Sequence, residues 1–131
     1  MGLDNGCICK NIQKEDIPTW VKLPWGWEEN RYEQHVLYFR KHWGIRGEIL
    51  EKLHCTQDND SKTMVDTEDI IPIVKILMKY LDKEYYEDNA HSIWEYDEAH
   101  DNIQNSIINL MWLKMYMESH QEVECYFYDS Y

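Results

Sequence analysis

Near the start of the chain, Leu3, Cys7 and Cys9 alternate with Asp4, Gly6, Ile8 and Lys10. This period of two predicts a strand over Gly2 to Lys10 with its cysteines on one face. The closing segment, Glu122 to Tyr131, repeats the signal, with Val123, Cys125 and Phe127 on one side and Tyr126 and Tyr128 on the other. Isolated strands are not stable, so the simplest arrangement pairs the two ends antiparallel and lays the intervening helices on one face of the sheet. From Arg31 to His54 the apolar positions Val36, Phe39, Trp43, Ile49, Leu50 and Leu53 recur at threes and fours, the spacing of an amphipathic helix. Gly44 and Gly47 weaken that helix by roughly 1 kcal/mol each relative to alanine. Cys55 to Thr63 reads as a polar connection. Asp66 is then an N-cap with Glu68 and Asp69 in the first turn, and Pro72 places regular helix from about Ile71 to Lys83, burying Ile73, Val74, Leu77, Tyr80 and Leu81. Tyr85 to Asn89 is an acidic, aromatic turn. The longest helix spans Ile93 to Glu118, with Ile93, Tyr96, His100, Ile103, Ile107, Leu110, Lys114 and Met117 on one line. Ile108, Met111 and Met115 widen this stripe and are read as flexible core packing.

The fold class that follows is α+β, with about three amphipathic helices packed on a small antiparallel sheet that pairs the N- and C-terminal strands. At 131 residues and 44% apolar composition, one domain over 1–131 has enough material for a continuous core. No apolar run is long enough to span a bilayer, and the opening lacks both a signal-peptide pattern and the Ser or Thr that myristoylation requires, so the chain is expected in the cytoplasm.

Residues Asn11 to Asn30 break the periodic pattern. Two prolines, a glycine and Trp20, Trp25 and Trp27 make a long loop with bulky cargo. Either these rings fold back as a lid over the core, or some stay exposed as anchors for a partner, since tryptophan is enriched where interfaces concentrate their energy.

Charge narrows the partner. With 25 acidic against 13 basic residues the net charge is −12, which repels nucleic acid and anionic membranes at long range and argues against direct DNA binding. An acidic surface also fits a decoy for the basic groove of a nucleic-acid-binding protein. Cys7, Cys9, Cys55 and Cys125 are expected to be reduced, buried apolar residues in a cytoplasmic chain. Their spacing does not suit zinc: Cys7 and Cys9 are one residue apart, and His35 and His42 stand two turns apart on the predicted helix. No metal, cofactor or catalytic residue is expected.

Two clusters carry candidate chemistry. Around Tyr38, Arg40, Lys41, Trp43 and Arg46, cationic side chains gather in an acidic protein, and on a helix they could clamp an anion while an aromatic ring stacks on a base. With Tyr126 and Tyr128 they would line a pocket for a small anionic nucleotide. Glu95, Asp97, Glu98 and Asp101 form an acidic surface at the start of the longest helix, where the dipole favours carboxylates. No phosphate loop, nucleophile elbow or zincin helix is present.

Several short pieces occur in the order seen in a family of small bacteriophage proteins of unassigned function. The opening Met1-Gly2-Leu3-Asp4 resembles that family's start, Tyr38-Phe39-Arg40-Lys41 its first helix, Met64-Val65-Asp66 the approach to its second, and Tyr96-Asp97-Glu98 its third. Phe127-Tyr128-Asp129-Ser130-Tyr131 is similar to its closing strand. The tryptophan-rich loop and the lack of a Gly-Phe-Phe-Phe-Gly stretch are departures. The resemblance implies phage origin and no known activity, and phage origin fits two roles. One is stoichiometric inhibition of a host defence protein such as a CRISPR effector, through the acidic, tryptophan-bearing surface. The other is sequestration of an anionic nucleotide signal. Self-association into a homo-oligomer stays open.

Overall fold

The computed structural model describes residues 4–29, 33–53 and 61–130. Gly2, Leu3, Arg31, His54, the Cys55 to Asp60 part of the polar connection and Tyr131 lie outside these residues. The strands are β1 (Asp4–Lys10), β2 (Glu33–Arg40), β3 (Ser61–Val65) and β4 (Glu124–Ser130). The helices are α1 (Trp43–Lys52), α2 (Thr67–Lys79), α3 (Lys83–Asn89) and α4 (Tyr96–Ser119). The sheet is antiparallel with order β2-β1-β4-β3. The two terminal strands pair as expected, along the whole of β1 from Asp4 opposite Ser130 to Lys10 opposite Glu124.

Strand parity sorts the sheet residues. Asn5, Cys7 and Cys9 of β1 pair with Phe39, Leu37 and Gln34 of β2 and face the helices, whereas Gly6 and Ile8 pair with Tyr38 and His35 on the opposite face. Between these pairs the register slips by one, and Val36 and Leu37, adjacent in sequence, are both fully buried. This bulge corrects the helix expected over Arg31 to His54. Its first part is strand, and helix begins only at Trp43, after Lys41 turns the chain with φ of 54°. Two neighbouring inward residues had broken the period of two and imitated helical spacing.

The expectation of reduced, buried cysteines is overturned for Cys9 and Cys125, holds for Cys7, and for Cys55 falls outside the described residues. Cys9 and Cys125 are directly opposite in the register, their Cα atoms 4.3 Å apart, and are joined by a disulfide. That separation matches a non-hydrogen-bonded antiparallel pair, whose side chains approach most closely. Cys7 keeps a free thiol, and burial pushes its pKa up to about 12, so it stays protonated.

Three further boundaries differ. Ser61–Val65 is an edge strand rather than part of a polar connection, because backbone pairing with β4 supplies what its sequence lacks in apolar signal. In α2 the helix starts at Thr67, not Ile71: the Asp66 backbone N–H donates to the Asp69 carboxylate at 2.9 Å, closing the first turn. Pro72 then removes one ladder bond, to the carbonyl of exposed Glu68, which water can satisfy. Tyr85 to Asn89 belongs to α3, begun by Asp82, whose side chain accepts from the Tyr85 backbone N–H at 2.9 Å.

The helical layer covers the inward sheet face. Ile45 and Ile49 of α1, Ile70, Ile73 and Leu77 of α2, and Ile103, Leu110 and Leu113 of α4 are fully buried, each stabilising by about 1.5–3 kcal/mol through apolar burial. The buried arc of α4 is rotated from the predicted stripe toward Trp112 and Tyr116. A 3₁₀ turn at Lys14–Asp16 meets this arc, where the Tyr116 hydroxyl donates to Asp16 Oδ2 at 2.6 Å and accepts from the Gln13 N–H. Ile108, Met111 and Met115 lie on the outer side, 41%, 41% and 59% exposed, which corrects their reading as core. Ile93 precedes the helix and is also exposed.

Candidate functional site

The tryptophan loop is braced at both ends. Before it, the Asn109 side chain on α4 accepts from the Lys22 N–H at 3.1 Å and donates to the carbonyls of Lys22 and Val36. After it, Gln34 of β2 donates to the Glu28 carbonyl at 2.9 Å and accepts from the Glu28 N–H. Both amides are buried. Between the pins, a turn closes with Gly26 N–H donating to the Leu23 carbonyl, with Pro24 at its second position and Gly26 at φ 68°. The sequence thus builds a short, rigid projection whose tip is Trp25.

Trp25 lands on the sheet face opposite the helices. Its ring centroid lies 4.5 Å from that of His35 and 4.6 Å from that of Tyr38. His35 in turn meets Tyr128 edge-on at 5.4 Å. Tyr38 and Tyr128 flank Gly6 in the register, on either side of β1. A Cβ on Gly6 would sit 2.2 Å from the Leu37 carbonyl oxygen, so only glycine fits beside the bulge. On the same face of β4, Tyr126 lies beneath Lys10, whose ammonium is 5.5 Å from the ring centroid.

Acidic groups border these rings. The Tyr38 hydroxyl donates to Asp4 Oδ1 at 2.9 Å. Burial, then this carboxylate, push the Tyr38 pKa up to about 12. Burial, then the charges of Tyr38 and Asp4, raise Tyr128 as well. Both phenols therefore remain neutral donors. Beside Trp25 a cleft of about 190 Å³ is lined by Gly26, Glu28, Glu33, Gln34 and His35.

Four residues singled out in the sequence, Trp25, Tyr38, Tyr126 and Tyr128, thus share this face. The others are placed elsewhere. Trp27 packs partly buried against the core, as a lid would, whereas Trp20 stays half exposed. Arg40 ends β2 beside Asp4 in the register. Arg46 sits on α1 with its guanidinium 5.5 Å from the Trp43 ring. Arg40, Lys41 and Arg46 therefore do not form one helix face, because the strand, the turn and the helix each hold one of them. Glu95, Asp97, Glu98 and Asp101 are all exposed at the start of α4, as a solvated acidic surface. No known family, curated protein or solved structure matches the chain.

His35, Gln34, Asp4, Glu28 and Glu33 were missed in the sequence. Strand parity over 33–40 was the signal that could have found His35. Two hydrogen-bonded networks lie away from this face, the first around buried His42 and the second at the partly exposed Glu48. His42 contacts the Arg40 carbonyl, Ser92 Oγ and the Tyr86 hydroxyl, and burial lowers its pKa to about 4. Glu48 accepts from Lys79, Tyr80 and Tyr85, and those hydrogen bonds outweigh burial to lower its pKa. Among the described residues no group of three or more His, Cys, Asp or Glu side chains could hold a metal ion, and no helix is long and apolar enough to cross a membrane.

Proposed function

We propose that this chain is a non-enzymatic binding protein that docks a basic protein surface on its aromatic sheet face. The observation that carries the reading is Trp25, half exposed and held on a doubly pinned loop against His35 and Tyr38, with Asp4, Glu28 and Glu33 around it. A rigid aromatic centre loses little entropy on binding, and interfaces draw most of their energy from such centres. The net charge of −12 steers a basic partner toward it. Together with the resemblance to phage proteins, this favours a nucleic-acid-binding component of a bacterial defence system, such as a CRISPR effector, as the partner. The complex would form in the cytoplasm of the infected host, where burial shields the Cys9–Cys125 bridge from thiol exchange.

Capture from infected-host lysate, with mass spectrometry of retained proteins and small molecules, tests this. A basic protein should be retained by the wild type and released as salt rises. Trp25→Ala should weaken its retention at least tenfold, and Trp43→Ala, on α1, should not. Equal retention by Trp25→Ala, or recovery of a nucleotide without a protein, would overturn the reading.

A further inference from the structure

We infer that the cleft beside Trp25 is a receptor for a single arginine side chain, presented by the basic partner of the preceding section, on which this inference rests. Glu33 carries the argument. Its Oε2 is fully enclosed and accepts no hydrogen bond. The cation that faces it, Lys62 Nζ, stands 3.9 Å away on a half-exposed side chain. Charge-assisted hydrogen bonds to a carboxylate form at about 2.7–2.9 Å, so this ion pair leaves the oxygen's hydrogen-bonding capacity unused. An enclosed carboxylate oxygen without a donor is costly, and a ligand that brings an N–H to it removes that cost.

The remaining walls specify the donor. Trp25 offers an indole with about half its surface open, the best side chain for holding a cation over an aromatic face. Glu28 adds a second carboxylate, on a residue whose backbone the Gln34 side chain holds. A cleft of about 190 Å³ has room for one long side chain. Guanidinium suits this geometry better than ammonium, because its planar fork can stack on the indole while its edge donates to a carboxylate. Seated there, an arginine meets the Glu33 carboxylate from the Trp25 side, and a small rotation of the Glu33 side chain turns Oε2 toward its N–H groups.

The test uses N-acetyl-arginine amide as probe against the full chain, followed by the indole N–H resonance of Trp25, which Trp25→Phe identifies. A saturable shift is expected, with a Kd of about 1 mM, as befits so small a ligand. The citrulline analogue, neutral and nearly the same shape, should bind at least tenfold more weakly, and Glu33→Gln should weaken arginine binding to a similar extent. Equal shifts with arginine and citrulline, tighter binding of the lysine analogue, or undiminished binding to Glu33→Gln would each overturn the inference. Failure here separates from failure of the docking role. If arginine amide does not bind while Trp25→Ala still loses the protein partner, only the receptor is wrong. If arginine amide binds and Trp25→Ala retains the partner, the docking reading falls and the cleft stands.

Discussion

Reducing the Cys9–Cys125 bridge should remove a large part of the protein's stability while leaving its fold in place. The bridge joins positions separated by 116 residues, nearly the whole chain. Closing a loop of that size restricts the unfolded ensemble by about 5 kcal/mol at 25 °C in the chain-entropy description. Native domains are stable by roughly 5–15 kcal/mol in total, so the loss is large against the whole. The folded state loses little, because both side chains remain buried opposite each other between paired strands. Urea unfolding followed by tryptophan fluorescence, with and without reductant, reads the difference. Cys9→Ala with Cys125→Ala should match the reduced protein to within the about 1–2 kcal/mol that deleting two small buried sulfurs costs. In thermal unfolding the midpoint should drop by about 20 °C, at ~4 °C per kcal/mol for a chain of this length. Peptide mapping without reductant should recover the Cys9 and Cys125 peptides joined and Cys7 as a thiol. Equal urea midpoints for the oxidised and reduced forms would refute the loop-closure reasoning. Alkylation of Cys9 and Cys125 in untreated protein would refute the bridge.

Other perturbations probe separate parts of the fold. The pKa of His42 is depressed from 6.5 to about 4 by burial, so the folded state binds fewer protons between those values. Its stabilising contribution is present above pH ~6.5 and lost as pH falls toward ~4, by about 3 kcal/mol in all; His42→Gln should flatten the pH dependence of the unfolding midpoint over that window. Asn5 is fully buried with neither amide atom hydrogen-bonded, so Asn5→Leu should stabilise by about 1–2 kcal/mol in the same urea assay, and a lower midpoint would show that its amide has a partner. Asn109→Leu removes three hydrogen bonds. It should cost about 2–4 kcal/mol and free the tryptophan loop, read as faster amide hydrogen exchange at Lys22. A Cβ on Gly44 would lie 1.9 Å from the Asn89 carbonyl oxygen where α1 meets α3, so Gly44→Ala should destabilise by about 1–3 kcal/mol despite alanine's better helix propensity.

What could be read in the sequence was whatever local periodicity encodes. Both terminal strands alternate cleanly, and their pairing followed from having no other stable use. Asp66 announced α2 through its first-turn carboxylates. β2 was misread because a bulge placed Val36 and Leu37 on one side, and β3 because an edge strand of mostly polar residues has no apolar rhythm. The disulfide is within reach of the sequence: Cys9 and Cys125 both fall on inward faces of strands expected to pair, and only a cytoplasmic setting argues for free thiols there. Of the site, the residue types were legible and their assembly was not. Trp25, Tyr38 and Tyr128 lie far apart in the chain and meet only through the β2-β1-β4 order and the pins from Gln34 and Asn109. The role of Glu33 depends on which of its oxygens is enclosed, and no linear pattern carries that.

The sheet order also constrains how the molecule is made. β4 is made after the other three strands, yet it is the seam between β1 and β3, which touch no common neighbour without it. Synthesis at about 5–20 residues per second leaves β1 and its partner β2 waiting several seconds with a bare edge. The nascent chain therefore cannot complete its sheet domain-end first. A ribosome stalled within α4 would release a product in which the helices can coil but the two halves of the sheet have nothing to join them, a species for chaperones and proteases rather than a partly working protein.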